Sequence, residues 1–177
     1  METIISSSSV DRINVIKTIL FTFVLVSALA IFFYYVDFNK VEDKMLYALP
    51  AVLFLIFSVM YIVIYGNLPT RLVLDSEKIL LDAPFKKRKI YLNEISFVRL
   101  LERQDFKGLI RVCGTNGILG DWGYFSSATI RNMKVYTRRS NNWILISTYR
   151  RGDFVIAPDD FRFIHLLEER ILLIRKK

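Results

Sequence analysis

The sequence predicts a transmembrane α-hairpin followed by a mainly-β domain that ends in one helix. Three observations carry this. Two apolar runs, Thr18–Val36 and Met45–Tyr65, contain no Asp, Glu, Lys or Arg. From Gly66 onward the chain is charged and basic, with short β-branched and aromatic runs between turn residues. After Pro158 the apolar spacing switches to steps of three and four, the period of a helix.

Taken in order, residues 1–14 are Ser-rich and low in complexity, and read as a flexible tail. Two spans follow, at about 15–36 and 45–65. Nineteen helical residues reach about 28 Å, close to the thickness of a hydrocarbon core. A helix satisfies its own backbone polar groups there. Phe32, Phe33, Tyr34 and Tyr35 close the first run, and Tyr61 and Tyr65 the second, as interfacial aromatics do. Pro50 sits in the first turns of the second span, where a missing N–H costs least. Neither run has an ionisable group at its centre, which argues against a proton relay or a charged substrate path. The "SALA" at residues 27–30 resembles a processing site for a cleaved signal peptide, but "IFFYYV" prolongs the run to a full span.

Charge sets the expected topology. Arg12 and Lys17 precede the first span and Arg71 follows the second, whereas the string 37–44 between them carries a net charge of −1. Basic flanks prefer the cytoplasm, so both termini are expected inside and the short loop outside an inner (cell) membrane. From Gly66 to Lys177 there are 21 Lys and Arg against 12 Asp and Glu. Residues 66–70, "GNLPT", form a linker of at most about 17 Å, which holds the domain against the bilayer.

Residues 71–177 form the domain. "RLVLD" and "KILLD" flank a tight turn at Ser76-Glu77, followed by "RKIYL" and "EISFVRLL". "GYFSSATI", "MKVYTRR", "WILIST" and "DFVIAP" are further strand candidates, punctuated by Asn116-Gly117, Asn141-Asn142 and Arg151-Gly152. Short strands at this spacing suggest a sandwich or a partly open barrel. Asp159 or Asp160 then caps a helix whose stripe is Phe161, Ile164, Leu167, Ile171 and Ile174. Glycines at 114, 117, 120 and 123 lack the order of a phosphate loop and read as turn positions with positive φ.

Three patterns resemble bacterial pleckstrin-homology-like domains found behind membrane spans. They are "IYLNEISFV" at Ile90–Val98, the Gly- and aromatic-rich "GTNGILGDWGYFSS" at Gly114–Ser127, and "FVIAPDDFRFIHLL" at Phe154–Leu167. Ala157 stands where that family more often has Ser. The resemblance runs from Arg71 to about Ile174. It implies a PH-like, seven-stranded, partly open barrel of two nearly orthogonal antiparallel sheets, capped by the C-terminal helix. It implies a binding or assembly module and no activity.

No catalytic constellation is visible. Asp159 and Asp160 are adjacent and diverge by about 100° on a helix. His165 has no second His or Cys in register, and Cys113 has no base beside it and reads as a packing residue. One His and one Cys leave no zinc set, and no metal or cofactor is implied. The candidate contact residues are basic: Lys86, Lys87, Arg88 and Lys89 in one run, and Arg138, Arg139, Arg150 and Arg151 near aromatics. Such a mixture also suits single-stranded nucleic acid, which the membrane tether disfavours. The expected function is a non-enzymatic module presenting a cytoplasmic domain to a protein partner. Two alternatives stay open: a sensor of anionic lipid headgroups acting through the basic run, and an accessory subunit of an envelope transporter or enzyme. Self-association is also left open.

Overall fold

The computed structural model describes residues 3–35 and 45–175. The string 37–44 expected outside the membrane, and the terminal Lys176 and Lys177, lie outside the described residues. Helices α1 (Arg12–Tyr35) and α2 (Met45–Asn67) are long and apolar enough to cross a membrane, over Arg12–Phe32 and Pro50–Asn67. Their outer faces are bare: Ile19, Phe23, Val24, Phe54 and Leu55 are each more than half exposed. The helices meet where Phe21 lies edge-on to Phe57 and where the Thr22 and Tyr61 hydroxyls are 2.6 Å apart.

The rest is mainly β, in two sheets that do not close into a barrel among the described residues. Strands β1 (Ile4–Ser7), β2 (Arg71–Leu74), β3 (Lys78–Asp82) and β4 (Lys87–Tyr91) form the first sheet, in that order and antiparallel. The second holds β5 (Ile95–Leu100), β6 (Ile110–Thr115), β7 (Asp121–Ser126), β8 (Met133–Thr137), β9 (Ile144–Thr148) and β10 (Gly152–Ile156), in the order β5-β9-β10-β8-β7-β6. Helix α3 (Arg162–Arg175) completes the domain.

The architecture is the predicted one, with differences in detail. Ten strands are present among the described residues, and β10 runs parallel to β8, with Val155 opposite Val135. The reason is local. The β9–β10 hairpin turns at Arg151-Gly152 and inserts between β5 and β8, so its returning strand points the same way as β8. Two strands lie where none is expected. One is β6, whose Ile110 and Val112 face solvent at a sheet edge. The other is β1, in the stretch expected to be a loose tail, where Ile4 opposite Leu74 packs against the core.

The centre of the second sheet is buried on both faces. On one, Ile146, Phe154 and Ile156 meet Leu72, Ile79 and Ile90 of the first sheet, together with Phe163, Ile164, Leu167 and Ile171 of α3. On the other, Phe125, Val135, Leu145 and Val155 lie under Leu101, Phe106, Leu109 and Trp143. The helix stripe is therefore shifted at its start. Phe163 enters the core, while Phe161 is exposed beside His165. Asp160 caps the helix by accepting from the Arg162 amide at 2.9 Å. Cys113, expected to pack, is exposed on β6.

Candidate functional site: a basic groove at the foot of the hairpin

Both helices long and apolar enough to span a membrane are fastened to the domain. At α1, Asp11 accepts from the Asn14 amide at 2.9 Å and from the Ser140 amide at 2.7 Å. Burial works against its charge, but the bonds from Ser140 and Asn14 and the nearby Arg139 outweigh this and hold its carboxyl below the usual range. Asn14 Nδ2 donates to the Arg138 carbonyl at 3.1 Å, and the Leu119 amide to Thr18 Oγ1 at 3.0 Å. At the end of α2, residues 66–70 are expected to be a linker but are packed. Leu68 is fully buried, the Phe85 amide donates to the Gly66 carbonyl at 2.9 Å, and the Thr70 amide to the Asp82 carbonyl at 2.8 Å.

These bonds fix the height of the β3–β4 turn. Thr22 sits opposite Tyr61, so in an antiparallel hairpin Lys17 comes level with Gly66. Lys17 is the last charged side chain before the first apolar run. The turn bonded to Gly66 therefore lies where the hairpin would leave the hydrocarbon. Phe85, at its tip, is 63% exposed.

Beside this turn an open groove of about 420 Å³ separates β4 from the β7, β8 and β10 face of the second sheet. Lys86, Lys87, Arg88, Lys89, Lys134 and Arg151 supply its charge, and Tyr91, Tyr124, Tyr136 and Phe154 supply rings. Among the described residues no carboxylate lines it, although Glu94 approaches Arg151 from outside at 3.9 Å. Arg88 is stacked 4.4 Å from the Tyr136 ring centre. Burial raises the Tyr136 hydroxyl's pKa, only partly countered by Arg88. Arg151 Nη1 donates to the Lys89 carbonyl at 2.7 Å, and Lys134 Nζ donates to the Arg151 carbonyl at 2.7 Å while lying 5.0 Å from the Phe154 ring centre. The side chains of Lys86 and Lys89 make no hydrogen bond or ion pair among the described residues, and Lys87 approaches Asp82 at 3.5 Å.

The model of the bacterial PH domain family matches residues 70–171, more than half of the chain. The chain belongs to the bacterial PH domain family. No curated protein and no solved structure matches it.

The PH domain divides the eight sequence candidates among three places. Lys86, Lys87, Arg88, Lys89 and Arg151 line the groove. Arg138 and Arg139 instead stand under the start of α1. Arg138 is buried and lies 5.4 Å from the Tyr65 ring centre; desolvation lowers its pKa, and Tyr65 partly restores it. Arg139 pairs with Asp159 at 2.9 Å. Arg150 lies in a separate cleft with Asn93, Glu94 and Tyr149. Sequence reasoning missed Lys134 and the rings at Tyr91, Tyr124 and Phe154, and grouped Tyr136 with Arg138 and Arg139 rather than with the run 86–89. Tyr91 and Tyr136 each lie two residues from a basic residue, whereas Tyr124 and Phe154 have no such local signal.

A buried carboxylate also went unnoticed. Asp121 accepts from the Gly117 amide at 2.8 Å, yet burial pushes its pKa up to about 6, against the pull of Lys17. Among the described residues no three His, Cys, Asp or Glu side chains converge where a metal ion could be held.

Proposed function

We propose that this protein is a non-enzymatic, membrane-anchored module whose PH domain rests on the cytoplasmic face of the cell membrane. Both termini are inside, and the basic groove contacts anionic lipid headgroups. The observation that carries this reading is the bond between the Phe85 amide and the Gly66 carbonyl, which brings the basic run to the height of Lys17. The six cations of the groove's lining suit phosphate, with Lys87 shared with Asp82 and Arg151 with Glu94 at 3.9 Å, and the exposed ring of Phe85 suits the headgroup layer. Each basic residue near an anionic leaflet is worth about 1 kcal/mol. Lys86, Lys87 and Lys89 together supply roughly 3 kcal/mol, somewhat less because Lys87 is shared with Asp82. The cytoplasmic orientation is supported by Arg12, Lys17 and Arg71 around the spans. A headgroup takes precedence over a protein partner because the tether already holds the groove beside lipid.

The test uses the full chain in nanodiscs, with Cys113→Ser and a spin label at Lys86→Cys. The label should sit deeper when a quarter of the phosphatidylcholine is replaced by phosphatidylglycerol. The difference should vanish in ~0.5 M salt, and in Lys87→Gln/Lys89→Gln. Equal depth in both discs overturns the reading. So does capture of one protein neighbour by the groove in cells while lipid composition has no effect.

A further inference from the structure

Among the described residues that line the groove, Arg88 alone also bonds to the membrane hairpin. Its Nη2 donates to Asn67 Oδ1 at 2.9 Å and its Nη1 to the Asn67 carbonyl at 3.2 Å. Asn67 is the last residue of α2, and its own Nδ2 donates back to the Val63 carbonyl at 2.9 Å. A helix leaves its final carbonyls without partners and carries partial negative charge at that end. The guanidinium answers both needs. The same guanidinium is stacked on Tyr136, inside the groove.

These two roles compete. Asn67 holds the end-on pair of N–H groups, one from each Nη, and a phosphate that takes this same pair displaces it, because phosphate is a stronger acceptor than a neutral amide. Tyr136 provides a surface on which the side chain can pivot without losing its stacking. The last turn of α2 is also where the helix enters the domain, with Ile64 and Leu68 buried and Tyr65 beside Arg138. A change at Asn67 therefore reaches the hairpin directly.

We infer that Arg88 is a relay: a phosphate-bearing headgroup in the groove draws its guanidinium from Asn67 and loosens the last turn of α2. Occupancy of the groove is thereby reported to the membrane hairpin. The inference rests on the headgroup reading above, and it turns the groove from an adhesive into a sensor.

Hydrogen exchange of amides 64–68, measured on the full chain in the same two kinds of nanodisc, tests it. Exchange should be about fivefold faster with phosphatidylglycerol, the change expected for losing about one net hydrogen bond. Arg88→Lys and Asn67→Ala should exchange at the fast rate in both discs. Asn67→Asp, which holds Arg88 by an ion pair, should need a larger share of phosphatidylglycerol to respond. If the label at residue 86 responds to lipid but amides 64–68 do not, or if Arg88→Lys still responds, the relay is overturned and the headgroup reading stands. If neither the label nor the amides respond, the headgroup reading falls and takes the relay with it.

Discussion

The amide of Phe85 hangs on the carbonyl of Gly66, 2.9 Å away, and a Cβ built on Gly66 would come within 1.9 Å of the Phe85 ring. The turn and the helix end are thus in direct contact, with no side chain between them. Together with β1 on β2 and Asn14 on Arg138, this contact makes the hairpin and the PH domain one packed unit rather than a head on a flexible stalk. The basic run is consequently held beside the end of the hairpin by packing rather than by a flexible linker.

Gly66→Ala should displace the Phe85 ring. That ring is 63% exposed and has room to move, so the cost should stay at about 1 kcal/mol. Phe85→Ala alone should cost little, and adding it to Gly66→Ala should restore most of the loss. Denaturant unfolding in detergent of the two single variants and the double variant measures this coupling. Additive effects would mean that the ring does not lie against Gly66.

Asp159 gathers the start of the chain. It accepts from Ser7 Oγ at 2.7 Å, from the Ser9 amide and hydroxyl, and from Arg139 at 2.9 Å. Asp159→Ala should cost about 1–2 kcal/mol, since the site is partly open to water. Hydrogen exchange should quicken by about tenfold at amides 4–9, while β9 and β10 keep their protection. Uniform loss of protection across both sheets would contradict the view of β1 as a local strap.

What the sequence made legible follows from the range of the forces involved. The spans stood out because an uncharged run of that length needs no tertiary context, and α3 because its period is local. Even there, Phe161 and Phe163 exchanged roles, since both lie close to one stripe and only packing chooses between them. The run 86–89 was visible as charge. Its groove partners, Lys134 and Phe154, arrive through sheet pairing from far along the chain. Arg138 and Arg139 read as surface because nothing local shows that α1 begins above them. Strand β1 is four residues long with two isoleucines, too short to display a period.

Arg99 and Asp105 clamp the segment that covers the second core, at 2.7 Å through both guanidinium nitrogens. The Arg99 bond is the main cause of an Asp105 pKa lowered to about 2. A carboxyl lowered in the folded state stabilises above its unfolded value of 3.8, and that contribution is lost as pH falls towards 2. Discounted for the exposed side of Arg99, it is about 1–2 kcal/mol. In a Trp122→Phe background, Trp143, which packs edge-on to Phe106, should become solvated across this window. In Arg99→Met the same change should begin at higher pH. A Trp143 signal that is flat down to pH ~2 would count against the clamp.

Asp121 has the opposite sign. Its folded-state pKa of about 6 lies above the unfolded 3.8, so between these values the folded chain binds more protons than the unfolded one. Stability contributed at this site therefore falls as pH rises from about 4 to about 6 and levels off beyond about 7, with a ceiling on the order of 3 kcal/mol. The cause is burial beneath the β6–β7 loop, with Asp11 adding repulsion and Lys17 only partly compensating. Asp121→Asn keeps an acceptor for the Gly117 amide without the charge. It should match the parent near pH 4 and exceed it in stability at pH 7, and the difference between the two isolates this group from other carboxylates. Lys17→Met should push the fall to higher pH, because the favourable charge beside Asp121 is gone. Denaturant unfolding of the three chains from pH 4 to 8, followed by fluorescence of the adjacent Trp122, decides the matter. A parent that gains stability over Asp121→Asn as pH rises would show that the carboxylate is paired rather than stranded.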